Sequence, residues 1–110
     1  MSFFKRVKKD ENSVAFRRQM AEHLNGRVVK YVSERDADSN TDIIIGKEGS
    51  ITLYENEIIV LSSQNIVFRC NQDELKASEL MSLEGVILEG PDREHGGRVR
   101  KIIAYYKYYR

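Results

Sequence analysis

Three groups of residues have types and spacings that could do chemistry. Asp92, Glu94 and His95 put an imidazole beside two carboxylates within four positions. A histidine oriented by a carboxylate can act as a general base or bind a metal. A hydrolase-like site around Asp92, Glu94 and His95 also needs a nucleophile. The sole cysteine, Cys70, lies in another segment, and no serine sits in a G-x-S-x-G elbow. Gly96 and Gly97 follow directly, as a hairpin turn requires. The cluster is therefore read as turn chemistry and the chain as non-enzymatic.

Asp36, Asp38, Asn40 and Asp42 form the second group, with oxygen ligands at alternating positions as in the opening of an EF-hand loop. That loop requires Gly at its sixth position and Glu at its twelfth. Here those places hold Thr41 and Lys47, so the segment is read as a solvated acidic hairpin loop, with no metal or other cofactor expected.

The third group is the terminal stretch Arg98–Arg110 (RVRKIIAYYKYYR), which has four of the six tyrosines, five Lys and Arg residues and no acid. Read at period two, Ile102, Ala104, Tyr106 and Tyr108 share one face, which a core can bury. Val99, Lys101, Ile103, Tyr105, Lys107 and Tyr109 share the other. Lys101, Tyr105, Lys107 and Tyr109 could stack bases and neutralise phosphates, as single-strand binders do. They could equally belong to an edge strand whose lysines discourage aggregation and whose tyrosines cover the helix or meet a second copy in a homodimer. A pI near 7.8 is low for a nucleic-acid domain, so a protein partner or self-association by that edge is the expected use.

The elements that position these groups follow from composition and period. At 110 residues, 41% hydrophobic and 32% charged, the chain fits one soluble domain with a real core. A lone cysteine makes no internal disulfide, so the expected compartment is the cytoplasm. Net charge is +1, but it is segregated: residues 1–35 carry nine basic and four acidic side chains, 36–97 four and thirteen, 98–110 five and none. Pairing of basic with acidic strands across a sheet is the common use of such a mixture.

Residues 1–11 form a basic leader before a single domain at 12–110. Phe3 and Phe4 beside Lys5 and Arg6 could touch an anionic membrane surface, but so short a segment is read as a tail. Ser13–Leu24 has Val14, Phe16, Met20 and Leu24 near helical spacing, and Asn25-Gly26 supplies a left-handed stop. After Gly26 the period becomes two. Strands are expected at 27–34, 41–45, 50–54, 58–61, 66–69, 82–89 and 98–109, with a tight turn at Lys47-Glu48-Gly49 and a long loop at 90–97 holding Pro91. Asn71–Met81 is a second helical candidate of one or two turns.

This order gives an α+β fold, mainly β: an N-terminal helix packed on an antiparallel roll or small barrel of about seven strands. The strand count and meander order resemble a PH-like split barrel. The helix-then-strand entry AEHLNGRVVKYV resembles an SH3 or Sm-type barrel. Both likenesses rest on element order alone, with no shared motif, and neither licenses a function; the chain is read as a binding or accessory domain with no assigned ligand.

Overall fold

The computed structural model describes residues 14–36, 39 and 41–107. Among those residues the one α-helix, α1, is Val14–Leu24. Ala21 and Leu24 are buried and Met20 packs against the same core, whereas Val14 is 48% exposed. The helix thus docks through its last turns. Asn25 N–H donates to Ala21 O (3.1 Å), and Gly26 takes a φ of +90°, a left-handed exit that glycine reaches without steric cost. Gly26 N–H then donates to Ile51 O (2.8 Å), and the Asn25 side chain accepts from Leu53 N–H (2.8 Å). The helix stop is therefore also the first stitch into the sheet.

Seven strands follow: β1 Val28–Asp36, β2 Thr41–Tyr54, β3 Glu57–Ser62, β4 Asn65–Asn71, β5 Lys76–Glu79, β6 Gly85–Asp92 and β7 Arg98–Tyr105. They form one open antiparallel sheet in the order β4-β3-β2-β1-β7-β6-β5. Its inner face carries Val29, Val32, Ile51, Phe68, Leu88 and Ile102, all buried with α1 and Leu75 in a single core. Each such aliphatic or aromatic side chain contributes about 1.5–3 kcal/mol on burial. The sheet curls enough to bring edge strand β4 opposite β6: the Arg69 amide donates to Asp92 Oδ1 at 3.1 Å. The edges do not pair, so the sheet is open where a closed barrel was one expectation.

Several boundaries differ from those expected. Lys47-Glu48-Gly49 is not a turn; β2 runs for 14 residues through it, with Glu48 at a φ of +46° bending the strand. A Cβ on Gly49 would stand 1.6 Å from Leu61 O, so glycine is there because β3 crosses it closely. The candidate helix at Asn71–Met81 is one 3-10 turn, Gln72–Glu74, capped by Asn71 Oδ1 accepting from Asp73 N–H (2.8 Å), followed by β5. Gln72 and Leu75 are the buried residues there, Leu75 alone of the two being apolar, and Lys76–Glu79 alternates between exposed and half-buried, which is period two. Pro91 lies inside β6, and the loop after it reduces to a 3-10 turn, Arg93–His95, with Gly96 and Gly97 at positive φ. Seven strands are present, but 41–45 and 50–54 are one and β5 is the seventh. The terminal strand, expected at an edge, lies between β1 and β6. No helix among the described residues is long and apolar enough to cross a membrane.

Candidate functional site

β1 and β7 pair from Tyr31↔Tyr105 to Glu34↔Ile102 and no further, although both strands continue. Arg35 and Asp36 stay paired only with Asp42 and Thr41 of β2. Lys101, Val99 and Arg98 stay paired only with Glu89, Pro91 and Asp92 of β6. The two hairpins splay and leave a cleft of about 740 Å³, lined among others by Arg35, Ile43, Arg98, Val99 and Lys101.

Backbone polar groups face into this cleft. In an antiparallel ladder a residue's N–H and C=O point to the same neighbour, and successive residues alternate sides. Pro91 has no N–H, so Val99↔Pro91 cannot be a pair that exchanges two hydrogen bonds. The polar groups of Val99 therefore point away from β6, into the split, and those of Lys101, two residues on, point the same way. On β1 the partner that Lys101 lacks is Arg35, two residues beyond the Ser33↔Ile103 pair. One rung of the sheet is missing, and two strand edges face each other across the gap.

Side chains hold the floor of the split. Arg100 donates Nε to Glu34 Oε2 (3.0 Å) and Nη2 to Glu34 Oε1 (2.7 Å), bidentate contact across from β7 to β1. Its Nη1 donates to Val67 O of β4 (3.1 Å) and to Asp92 Oδ2 of β6. Arg100 is 8% exposed and Asp92 0%. Asp92 also accepts from the amides of Arg69 (3.1 Å) and Glu94 (3.0 Å) and from His95 Nδ1 (2.6 Å). One buried cation thus ties four strands together. Burial pushes the Asp92 carboxyl up, but the bonds from His95, Arg100 and the two amides outweigh it and hold its pKa below the ordinary carboxylate value. Hydrogen bonding to Arg100 likewise holds Glu34 low.

An imidazole held by a buried aspartate is the orienting half of a catalytic triad. Here the aspartate serves four donors, Glu94 is engaged by Arg69 Nε at 3.2 Å, and Cys70 is buried with its thiol pushed up to about 12, chiefly by burial. The cluster is built as a tie between strands.

The terminal-face residues have separate surroundings. Lys101 lines the cleft. Tyr105 stacks on Tyr31 with centroids 4.4 Å apart and planes 19° from parallel. That contact occupies one face of the Tyr105 ring, leaving less for a nucleobase. Lys107 is exposed just past β7, and Tyr109 lies outside the described residues. In the acidic loop, Asp42 is held by Arg35 at 2.8 and 3.0 Å and Asp36 accepts from Ser39 Oγ at 3.0 Å, while Asp38 and Asn40 lie outside the described residues. Among the described residues no three His, Cys, Asp or Glu groups are arranged to hold a metal. Phe3, Phe4, Lys5 and Arg6 also fall outside them. Sequence reasoning missed Glu34, Arg98 and Arg100. One signal was available for Arg100: it shares the inward register with Ile102 and Ala104, and a charge on an apolar face needs a buried partner.

Comparison with known proteins finds no family model that matches this chain, no similar curated protein and no similar solved structure.

Proposed function

We propose that this chain is a non-enzymatic binding module that accepts an extended segment of a partner protein into the split between β1 and β7 as an added strand. The missing rung carries this reading: pairing stops at Glu34↔Ile102 while two polar strand edges continue side by side. β7 offers the longer edge, through Val99 and Lys101, so the segment lies antiparallel to β7. Exposed Ile43 and Val99 offer apolar contact to its side chains. Arg98 and Lys101 line the cleft and form no salt bridge among the described residues. Glu34, Asp36 and Glu89 share the lining, but with Arg35 and Arg100 its basic side chains outnumber these acids, which favours a segment bearing carboxylates. Arg98 and Lys101 lie on opposite faces of β7, so acids an odd number of positions apart meet both.

The finer architecture is read as a PH-like split barrel, supported by a four-strand meander joined through β1 and β7 to a three-strand one. The cytoplasm is the proposed compartment, supported by a single buried thiol with no disulfide partner.

Amide NMR with short acidic, β-branched peptides tests the binding mode. Shifts centred on Arg35, Val99 and Lys101 are expected. Val99→Pro should abolish them without unfolding the protein, because that N–H takes no part in the β6 ladder. No response to any acidic peptide, or shifts confined to β4 or β5, would overturn the proposal.

A further inference from the structure

The turn between β5 and β6 carries two apolar side chains that the described chain leaves uncovered. Met81 is 102% exposed and Leu83 67%. Leu83 also stands at a φ of +63°, a left-handed conformation in which a branched side chain is strained and Gly or Asn is the usual occupant. The turn itself is firmly made. Leu83 N–H donates to Leu80 O (2.8 Å), Leu80 N–H to Gly85 O (2.9 Å) and Tyr106 N–H to Glu84 O (2.8 Å). The Ser82 hydroxyl accepts from Glu84 N–H at 3.3 Å. A rigid turn that presents leucine and methionine to water, one of them under backbone strain, points to a contact surface.

Beside the turn is a hollow of about 350 Å³, lined by Tyr31, Leu80, Met81, Ser82, Glu84 and Tyr105. Two of its walls are the stacked tyrosine rings. A protruding apolar knob and an apolar hollow on one surface are the two halves of an isologous contact, in which the same patch on both copies is self-complementary. The charges fit that operation. Glu84 lines the hollow, Lys107 is exposed one residue beyond the Tyr106 that donates to Glu84 O, and neither forms a salt bridge among the described residues. Glu79 and Glu84 flank the turn and disfavour an anionic lipid surface.

We propose that a second copy of this chain docks here about a twofold axis. Leu83 of each copy enters the hollow of the other, and Glu84 of each meets the other's Lys107. The contact is small and belongs to the weak, reversible class of interfaces. It is independent of the β1–β7 split, which lies toward the other end of β7.

Sedimentation equilibrium over rising protein concentration tests this. The apparent mass should climb from one chain toward two, and Leu83→Asp should weaken association by about tenfold or more, as loss of a central apolar anchor does. Leu83→Gly removes the knob while relieving the backbone, so it should remain folded by circular dichroism and lose association equally. The proposal is overturned if the wild type keeps the mass of one chain at the highest concentration, including the case where it instead sediments with phosphatidylcholine vesicles. It is also overturned if both variants associate like the wild type.

Discussion

Replacing Asp92 by asparagine tests whether the buried ionic tie organises this fold. The side chain keeps its volume and one accepting oxygen but loses its charge. Asp92 is fully buried and receives four donors, one of them the guanidinium of Arg100. Removing one partner of a buried ion pair costs about 3–5 kcal/mol, because the other charge is left uncompensated. Glu34 still neutralises Arg100 from the far side of the split, and the asparagine oxygen still accepts a bond, so about 2–3 kcal/mol is expected near neutral pH. A domain of this size has about 5–15 kcal/mol in all, so urea unfolding should show a clearly lower midpoint with an unchanged slope. The pH dependence gives a second reading. The folded pKa of Asp92 lies below its unfolded value of about 3.9, so its contribution is present above that pH and is lost as pH falls through the folded pKa. The gap between wild type and Asp92→Asn should therefore close in acid. A variant within about 0.5 kcal/mol of the wild type at neutral pH, the scatter of ordinary surface changes, refutes the argument, as does a gap that persists unchanged in acid.

Two further substitutions or probes address the close approach of β3 and the thiol. Gly49→Ala should destabilise by about 3 kcal/mol or more in a thermal melt, since its Cβ would stand 1.6 Å from a backbone oxygen that no rotamer can move; a melt equal to wild type would mean β2 and β3 separate freely there. Cys70, buried with its thiol pushed up to about 12, should resist iodoacetamide at mildly alkaline pH in the native protein and react readily in urea, and rapid native labelling would contradict that burial.

How much of this was legible in the sequence depended on whether a signal was local. Asn25-Gly26 marked the helix end because the left-handed exit is a property of two adjacent residues. The alternation in Arg98–Tyr105 put Ile102 and Ala104 inside, because period two needs only the strand itself, but it gave no sign that Ile103 on the other face is buried as well. Lys47-Glu48-Gly49 reads as a turn for the opposite reason. The real constraint at Gly49 comes from Leu61 and Ser62, residues of β3 more than ten positions away, and nothing near Lys47 announces that crossing. Asn71–Met81 was misread through helix-compatible residue types, where docking of Leu75 and pairing with β6 decided for a turn and a strand. The cleft was half visible. Lys101 was singled out for its charge on a striped face, whereas Glu34 and Arg35 came from a distant strand whose register with β7 no local pattern encodes.

Two features that looked unrelated in the sequence prove to be parts of one arrangement. The Asp92–His95 pair looked like the start of an active site, and the Lys101 face looked like a binding strip. Asp92, with His95 closing the turn over it, holds Arg100 in place from β6. Arg100 reaches Glu34 and so fixes the distance between β1 and β7 at the point where their backbone pairing ends. A backbone rung there would have drawn Arg35 and Lys101 together and closed the gap. A side-chain bridge on the inner face sets the same strands without using their edge groups. Among the described residues the edges of Val99, Lys101 and Arg35 are thereby left unpaired at a set spacing, which under the proposed strand addition would reduce the ordering entropy to be overcome. The ionic tie is costly to bury, and hydrophobic residues of similar volume often hold a core as well or better. A reason to keep charges at this point is that an apolar cluster could not hold two strands at a set distance while leaving both edges open.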